Sequence, residues 1–449
     1  MLAQVAEWTE GRLLGDDVLV QSVSTDTRTL GPGALFVALR GEQFDAHDFI
    51  AAAESAGASA VMVSRPVETC LPQVHVADTE EALGELAAGL QQGRKAVTVA
   101  LTGSNGKTSV KALLLSILSR AGVAYANPGN LNNEIGLPLA VINADEDAEF
   151  AIYEMGAGKP GDIAYLCSIV TPQVALVNNV AAAHIERLGS LYGIAETKAA
   201  IYEALPDDGI AVVNADDAFA PYFTQRIGAR RVLRYGTEQD ADVRARDIVS
   251  TEDGSRFILL TPAGRAEVNL PLPGRHNVLN ALAAASLALA AGAGFDAITA
   301  GLQSASPVKG RQVAHRLTSG ALLIDDSYNA NPGSVAAAIA TLVQGGGEAW
   351  LVLGDMRELG PDGAALHGEA GQQARAAGLK RVWTVGALAV EASRAFGDGG
   401  KNFRTQFELV QALRNELKDG VRCLIKGSRG SAMEAVVAGV LAGESSHAA

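Results

Sequence analysis

Val97-Thr98-Val99-Ala100-Leu101-Thr102-Gly103-Ser104-Asn105-Gly106-Lys107-Thr108-Ser109 is the stretch on which the reading of this chain turns. A short apolar strand runs into a glycine-rich turn. Behind it, Val110–Ala121 carries Leu113, Leu114, Ile117 and Leu118 at helical spacing. That order builds a phosphate cradle: glycines let backbone N–H groups turn inward on an anion, and the helix N-terminus adds partial positive charge. Lys107 is placed to reach the β- and γ-phosphates, and the Thr108 hydroxyl to meet Mg²⁺. The general pattern has a further glycine where Leu101 stands, so the motif here is the tighter Thr102-Gly103-x-x-Gly106-Lys107-Thr108. A plain strand–turn–helix connection is the alternative. With the strand before and the helix after, Thr102, Gly103, Ser104, Asn105, Gly106, Lys107, Thr108 and Ser109 read as nucleotide contacts.

At 449 residues the chain exceeds what one core supports. It is 48% hydrophobic but only 5% aromatic, and rich in Ala and Gly, which suits α/β layers with close helix–sheet packing. Lys and Arg number 36 against 50 Asp and Glu, a net charge of −14, which argues against nucleic acid or an anionic membrane as partner. Cys70, Cys167 and Cys423 lie far apart with no metal or redox spacing, and are expected as reduced core thiols. Met1–Gly11 lacks the pattern of a signal peptide, and the apolar run Ala281–Ala293 is too short to span a bilayer. A cytoplasmic protein without membrane insertion is expected.

Three α/β units follow from the periodicity. Residues 1–94 read as a small binding unit, with helices over Leu2–Trp8, Phe49–Ala56 and Thr79–Leu90. Its strands are expected near Val18–Val23, Ala34–Leu39 and Ala60–Val63. Polar segments follow two of these strands: Ser24-Thr25-Asp26-Thr27-Arg28, and Leu39–Asp48 with Phe44 at its centre. Both read as ligand loops or as turns with solvated charge.

Residues 95–308 alternate strand and helix, with strands at Val97–Leu101, Phe150–Glu154, Val174–Asn178 and Ile210–Val213, giving a mostly parallel sheet. Ligands gather beyond the C-terminal ends of such strands. Glu154 ends one strand, Asn178-Asn179 end another, and His184 follows. Singly, Glu154 reads as a solvated strand end and His184 as a packing histidine. Beside a phosphate loop the pair suits a cation site. Lys198 lies on the predicted helix Gly193–Leu205, where most lysines face solvent. Asn127–Pro138, with Asn132 and Asn133, is too rich in Asn, Gly and Pro to hold a regular element, and reads as a polar ligand loop or an array of Asx turns. Gly274-Arg275-His276-Asn277-Val278-Leu279-Asn280 opens the helix Ala281–Ala291. Asn277 is an N-cap or a ligand contact, with Asn280 one turn below His276.

Ser304–Arg311 reads as a hinge. Residues 309–449 then form a doubly wound, Rossmann-like unit, with strands at Ala321–Ile324, Trp350–Leu353, Val382–Val385 and Arg422–Ile425. Three polar clusters cap its strands: Asp325–Pro332, Gly354–Gly360 and Lys426–Gly430.

These motifs, taken in order, resemble the Mur ligases, the ATP-dependent amide ligases of peptidoglycan precursor synthesis. The residues that carry the resemblance are Thr102–Thr108, Glu154-Met155-Gly156, Asn178-Asn179 with His184, Gly274-Arg275-His276-Asn277-x-x-Asn280 and Asp325–Pro332. It spans essentially the whole chain. Ser327–Ser334, Leu353–Gly360 and Phe44–Ile50 are similar to the family member that acts last, joining D-alanyl-D-alanine to UDP-N-acetylmuramoyl-tripeptide. The Asp-Asn-Pro-Arg sequence usual in the diaminopimelate- or lysine-adding member is absent. Folylpolyglutamate synthases share the core fold but not the first unit or the asparagine-rich loop.

The resemblance implies that ATP phosphorylates the tripeptide carboxylate to an acyl phosphate, which the dipeptide amine then attacks. It implies Lys107, Glu154, His184 and Lys198 as catalytic. Thr108, Glu154, His184 and a carbamylated Lys198 are implied as ligands of two Mg²⁺ ions. His276, Asn277, Asn280, Arg311 and Asp326 are implied around the nucleotide, and Asn329 and Asn331 beside the dipeptide. Ser24, Thr25, Asp26, Thr27, Arg28 and Phe44 are implied on the nucleotide-sugar arm, and a monomer is expected. Gly158-Lys159 and Arg187 depart from the family's usual residues. A P-loop ATPase doing mechanical work, or a nucleotide-sugar-binding protein without catalysis, are the rival readings. Polar caps on two separate sheets disfavour the first, and the joint presence of Lys107, Thr108, Glu154, His184 and Lys198 disfavours the second.

Overall fold

A computed structural model describes residues 1–41, 44–182 and 185–445, and it shows three sheets, each flanked by helices. The first has five strands in the order Arg12–Leu14, Gln73–His75, Ala60–Val63, Ala34–Val37, Ser22–Ser24; the first pair is antiparallel and the rest parallel. The expected strand over Val18–Val23 forms only at Ser22–Ser24, while Arg12–Leu14 and Gln73–His75 were not foreseen. Ala34–Val37 and Ala60–Val63 are buried along their whole length, as strands covered on both faces must be. The helix Thr79–Gln92 starts where expected because the Asp78 carboxylate accepts the Glu80 and Glu81 amides, at 2.7 and 3.2 Å.

The middle sheet has nine strands. Val97–Thr102 is an interior strand, third from one edge, parallel to Phe150–Glu154 on one side and Val174–Val177 on the other. The chain therefore leaves all three strands at the same edge, which is how Glu154, Asn178 and the phosphate loop come together. Unforeseen are the edge strand Ala124–Ala126, the strand Arg231–Gly236, and a wing at the other end of the sheet, where Val243–Ser250, Ser255–Thr261 and Gly264–Leu270 run antiparallel. One face of the sheet is covered by the helices Lys107–Leu118 and Arg275–Ala290, whose Ala281–Ala285 are fully buried. Small side chains there let helix and sheet approach closely.

The third sheet has six strands, in the order Val313–Arg316, Leu322–Asp326, Val421–Lys426, Glu348–Gly354, Arg381–Val385, Gly400–Phe403; only the first pair is antiparallel. Among the described residues no helix is long and apolar enough to cross a membrane. Cys167 and Cys423 are buried, and burial pushes each thiol up to about 12. Cys70 is exposed, so the expectation of three core thiols fails at that position.

Candidate active site

A cleft of about 720 Å³ opens between the middle and third units. Its floor is the phosphate loop. Gly106 takes φ +81°, a left-handed backbone that favours glycine, and a Cβ there would strike the Asn178 and Asn280 side chains. The loop is braced from the neighbouring strand. The Ser104 amide donates to the Asn179 carbonyl (3.0 Å) and the Asn105 amide to Asn179 Oδ1 (2.8 Å), while Asn178 Nδ2 and Asn179 Nδ2 both donate to the Asn105 carbonyl. Asn178 and Asn179 thus hold the loop's shape. The helix begins at Lys107, so the first amides of its opening turn have no intrahelical acceptor and face the cleft.

Lys107 Nζ folds back onto the Gly103 carbonyl at 2.6 Å. Burial lowers its pKa, and Glu154 opposes that shift. Glu154 is 3% exposed. Its Oε1 accepts from Asn132 Nδ2 at 2.9 Å, whereas Oε2 receives no hydrogen bond and lies 3.3 Å from Lys111 Nζ. Burial alone would raise the Glu154 pKa; Lys111, Lys107 and Arg311 together outweigh it and hold the carboxyl below its ordinary range. The Thr108 hydroxyl accepts from Arg311 Nη2 at 2.8 Å, and the Arg311 guanidinium lies 4.5 Å over the Tyr328 ring. Lys198, on the helix Leu191–Glu203, is buried against the cleft rather than facing solvent. Desolvation, and then Lys107, bring its pKa well below the usual lysine range, which favours a neutral amine. His184 lies outside the described residues.

The cleft wall from the third unit starts with the buried pair Lys426 Nζ–Asp326 Oδ2, at 2.6 Å; burial raises the Asp326 pKa despite Lys426. Lys426 also donates to the Asn329 carbonyl at 2.9 Å. Asn331 caps the helix Pro332–Gln344 in a capping box with Ser334, and its Nδ2 crosses to Asn105 Oδ1 at 2.7 Å. On the middle unit, His276 lies within 3.4 Å of Thr341 Oγ1, and burial brings its pKa down to about 4. Asn277 is not an N-cap. Gly274 holds that position, and Asn277 Nδ2 reaches back to the Pro273 carbonyl at 2.8 Å. Asn280 pairs with Asn277 and Asn178 over Gly106.

The structure thus brings Ser104 to Ser109, Asn132, Asn133, Glu154, Lys198, His276, Asn277, Asn280, Arg311, Asp326, Asn329 and Asn331 onto one cleft. Thr102 and Gly103 lie beneath it; the Thr102 hydroxyl donates to the Met155 carbonyl. Ser24, Thr25, Asp26, Thr27, Arg28 and Phe44 do not line it. They sit on the first unit, where Ser24 Oγ accepts the Asp26 amide, Asp26 pairs with Arg28, and the Phe44 ring is 72% exposed. Sequence reasoning placed Tyr328 and Lys426 in strand-capping polar clusters without giving either a role, and it missed Lys111, which lies just behind the cleft. A lysine one turn after Lys107, on the side of a helix meant for the core, was the available signal for Lys111.

Residues 19–91, 101–288 and 310–429 match, in order, the family models described as Mur ligase family catalytic domain, Mur ligase middle domain, and Mur ligase glutamate ligase domain. The chain belongs to the Mur ligase family. This Mur ligase is 46% identical over 439 residues, 97% of each chain, to the UDP-N-acetylmuramoyl-tripeptide–D-alanyl-D-alanine ligase of Escherichia coli K12. Among solved structures it is similar to MurF from Acinetobacter baumannii, with a TM-score of 0.93, 34% identity and 98% of both chains covered. It is also similar to the MurF ligase of Thermotoga maritima in complex with ADP, with a TM-score of 0.87, 28% identity, and 96% of this chain and 100% of that one covered.

Proposed function

We propose that this Mur ligase joins D-alanyl-D-alanine to UDP-N-acetylmuramoyl-tripeptide at the expense of ATP, releasing ADP and phosphate. The observation that carries the reading is the 46% identity, across 97% of both chains, with a ligase of that name. The division of labour follows the chain: residues 1–94 hold the nucleotide-sugar arm through Ser24, Thr25, Asp26, Thr27, Arg28 and Phe44, residues 95–308 bind ATP, and residues 309–449 present the amine. The protein acts as a monomer in the cytoplasm.

In this reading the tripeptide carboxylate attacks the γ-phosphorus of ATP; the bond to the β,γ-bridging oxygen breaks and an acyl phosphate forms. The dipeptide amine then adds to the acyl carbon, loses a proton, and phosphate leaves. The reactants are anions that repel one another, so alignment and charge neutralisation carry most of the rate. The helix N-terminus and Lys107 meet the phosphates. His276, Asn277, Asn280, Arg311 and Asp326 enclose the nucleotide, and Asn132, Asn133, Asn329 and Asn331 orient the two amide partners.

Mg²⁺ at this site supplies neutralisation of phosphate charge. Thr108 Oγ1 and the unbonded, buried Glu154 Oε2 are oxygens that fit such an ion. A bare amine at Lys198 does not. Held neutral by burial, it is suited to add CO₂ and lose a proton, giving a carbamate whose oxygens would serve with His184 at a second ion. The test is turnover with ¹⁸O-labelled tripeptide carboxylate. The pentapeptide product together with one ¹⁸O in the released phosphate is expected; unlabelled phosphate would exclude the acyl phosphate.

A further inference from the structure

Behind the cleft wall, Lys111 joins three elements of the site. It stands one turn after Lys107 on the helix Lys107–Leu118, is 6% exposed, and does not line the cleft. Its ammonium donates to the Asn127 carbonyl at 2.8 Å and the Gly129 carbonyl at 3.1 Å, and faces Glu154 Oε2 at 3.3 Å. Glu154 is fixed on other sides too, its backbone by Asn127 and its carboxylate by Asn132. Asn127 Oδ1 accepts the Glu154 amide at 2.9 Å, Asn127 Nδ2 donates to the Glu154 carbonyl at 3.0 Å, and Asn132 Nδ2 holds Oε1. The asparagine-rich loop, the strand end and the phosphate-loop helix are therefore tied at one buried ion pair.

Two other cations, Lys107 and Arg311, also act on Glu154. Both line the cleft; Lys107 donates to the Gly103 carbonyl, and Arg311 donates to the Thr108 hydroxyl while lying over the Tyr328 ring, and an incoming phosphate can compete for either donor. Neither Lys111 nor its carbonyl partners at Asn127 and Gly129 line the cleft, so a phosphate entering there meets none of them directly. A divalent ion approaching Glu154 in the empty cleft thus meets a fixed positive charge a few ångströms away, which nucleotide phosphates must offset.

We propose that Lys111 is a positioning residue that sets the Glu154 carboxylate and keeps its cation site weak until nucleotide phosphates arrive, so that the metal enters with the nucleotide. The inference rests on the reading of Glu154 as a cation ligand. The experiment is a Mn²⁺ titration of the nucleotide-free protein, followed by the electron paramagnetic resonance signal of unbound Mn²⁺, with thermal melts monitored by circular dichroism alongside. Lys111→Met, or Lys111→Gln should the first not fold, is expected to bind Mn²⁺ about tenfold more tightly than the parent. With saturating ADP the difference is expected to shrink to within about threefold. Adding Glu154→Gln is expected to abolish the gain. A folded Lys111 variant with unchanged or weaker Mn²⁺ affinity overturns the proposal. Mn²⁺ binding that is insensitive to Glu154→Gln overturns the ligand assignment itself, a separate failure.

Discussion

Lys107, Lys198 and His276 each carry an ionisable group whose charged form is penalised by burial. Lys107 still faces Glu154, so it is retained as the cation that meets phosphate. Lys107→Ala is expected to lower turnover by roughly 10²–10³-fold while leaving UDP-muropeptide affinity within about twofold, measured by calorimetry, because the phosphate contact matters in the transition state. If Lys198 works as a carbamate, turnover in CO₂-depleted buffer falls and bicarbonate restores it; indifference to bicarbonate would leave Lys198 a buried amine. His276 gives a pH dependence of definite sign. Its folded-state pKa of about 4 lies below the ordinary 6.5, so between those values the unfolded chain binds more protons. The stability present above pH 6.5 is lost as pH falls through that window, by up to about 3 kcal/mol. Urea unfolding at pH 7 and pH 5 should show the parent losing more than His276→Gln; equal losses would contradict it. At this scale the phosphate loop and Glu154 were legible because their chemistry is local in sequence. Lys111 was not, because its partners Asn127, Gly129 and Glu154 are brought to it only by the parallel sheet.

The elements most readily read were strands buried on both faces. Phe150–Glu154 lies where its apolar run ends, and Val97–Thr102 and Val174–Val177 differ from expectation by a residue. Two strands of the wing at 243–270 escaped because they expose alternate residues and carry Arg, Glu and Asp, so no apolar run marks them; the third, Ser255–Thr261, does carry the apolar run Phe257–Leu260. Close helix contacts leave no clear trace in periodicity either. Gly301, inside Phe295–Gln303, would place a Cβ 2.5 Å from the Ile117 Cα of the phosphate-loop helix. Gly301→Ala gains about 1 kcal/mol of helix propensity but forces two backbones apart, so a net loss of about 1–2 kcal/mol is expected in urea unfolding. Asn331 separates two roles. Asp caps a helix as well as Asn, so Asn331→Asp is expected to hold stability within about 0.5 kcal/mol. It removes the donor to Asn105 and adds a negative charge at the phosphate loop, so ADP affinity is expected to fall. Unchanged affinity would remove Asn331 from the site.

Across the whole molecule, the cleft lies between two units joined across it by direct contacts that include Arg311 to Thr108 and Asn331 to Asn105. Away from the cleft, Glu252 on the middle unit's antiparallel wing pairs with Arg316 at 2.9 Å and lies 3.8 Å from the buried Arg422, both on the third sheet. Such an arrangement can pivot about the segment at 304–311 as substrates bind. Small-angle scattering is expected to show compaction with a non-hydrolysable ATP analogue plus UDP-muropeptide, and an unchanged profile would rule out closure on that scale. The central claim is the reaction, and ADP release tests it most directly. The purified protein is given ATP, Mg²⁺ and UDP-N-acetylmuramoyl-tripeptide with and without D-alanyl-D-alanine, beside a control pair of the dipeptide precursor with diaminopimelate. Sustained ADP release only with the tripeptide and D-alanyl-D-alanine together is the predicted result; release with the control pair, or without any acceptor amine, would contradict it.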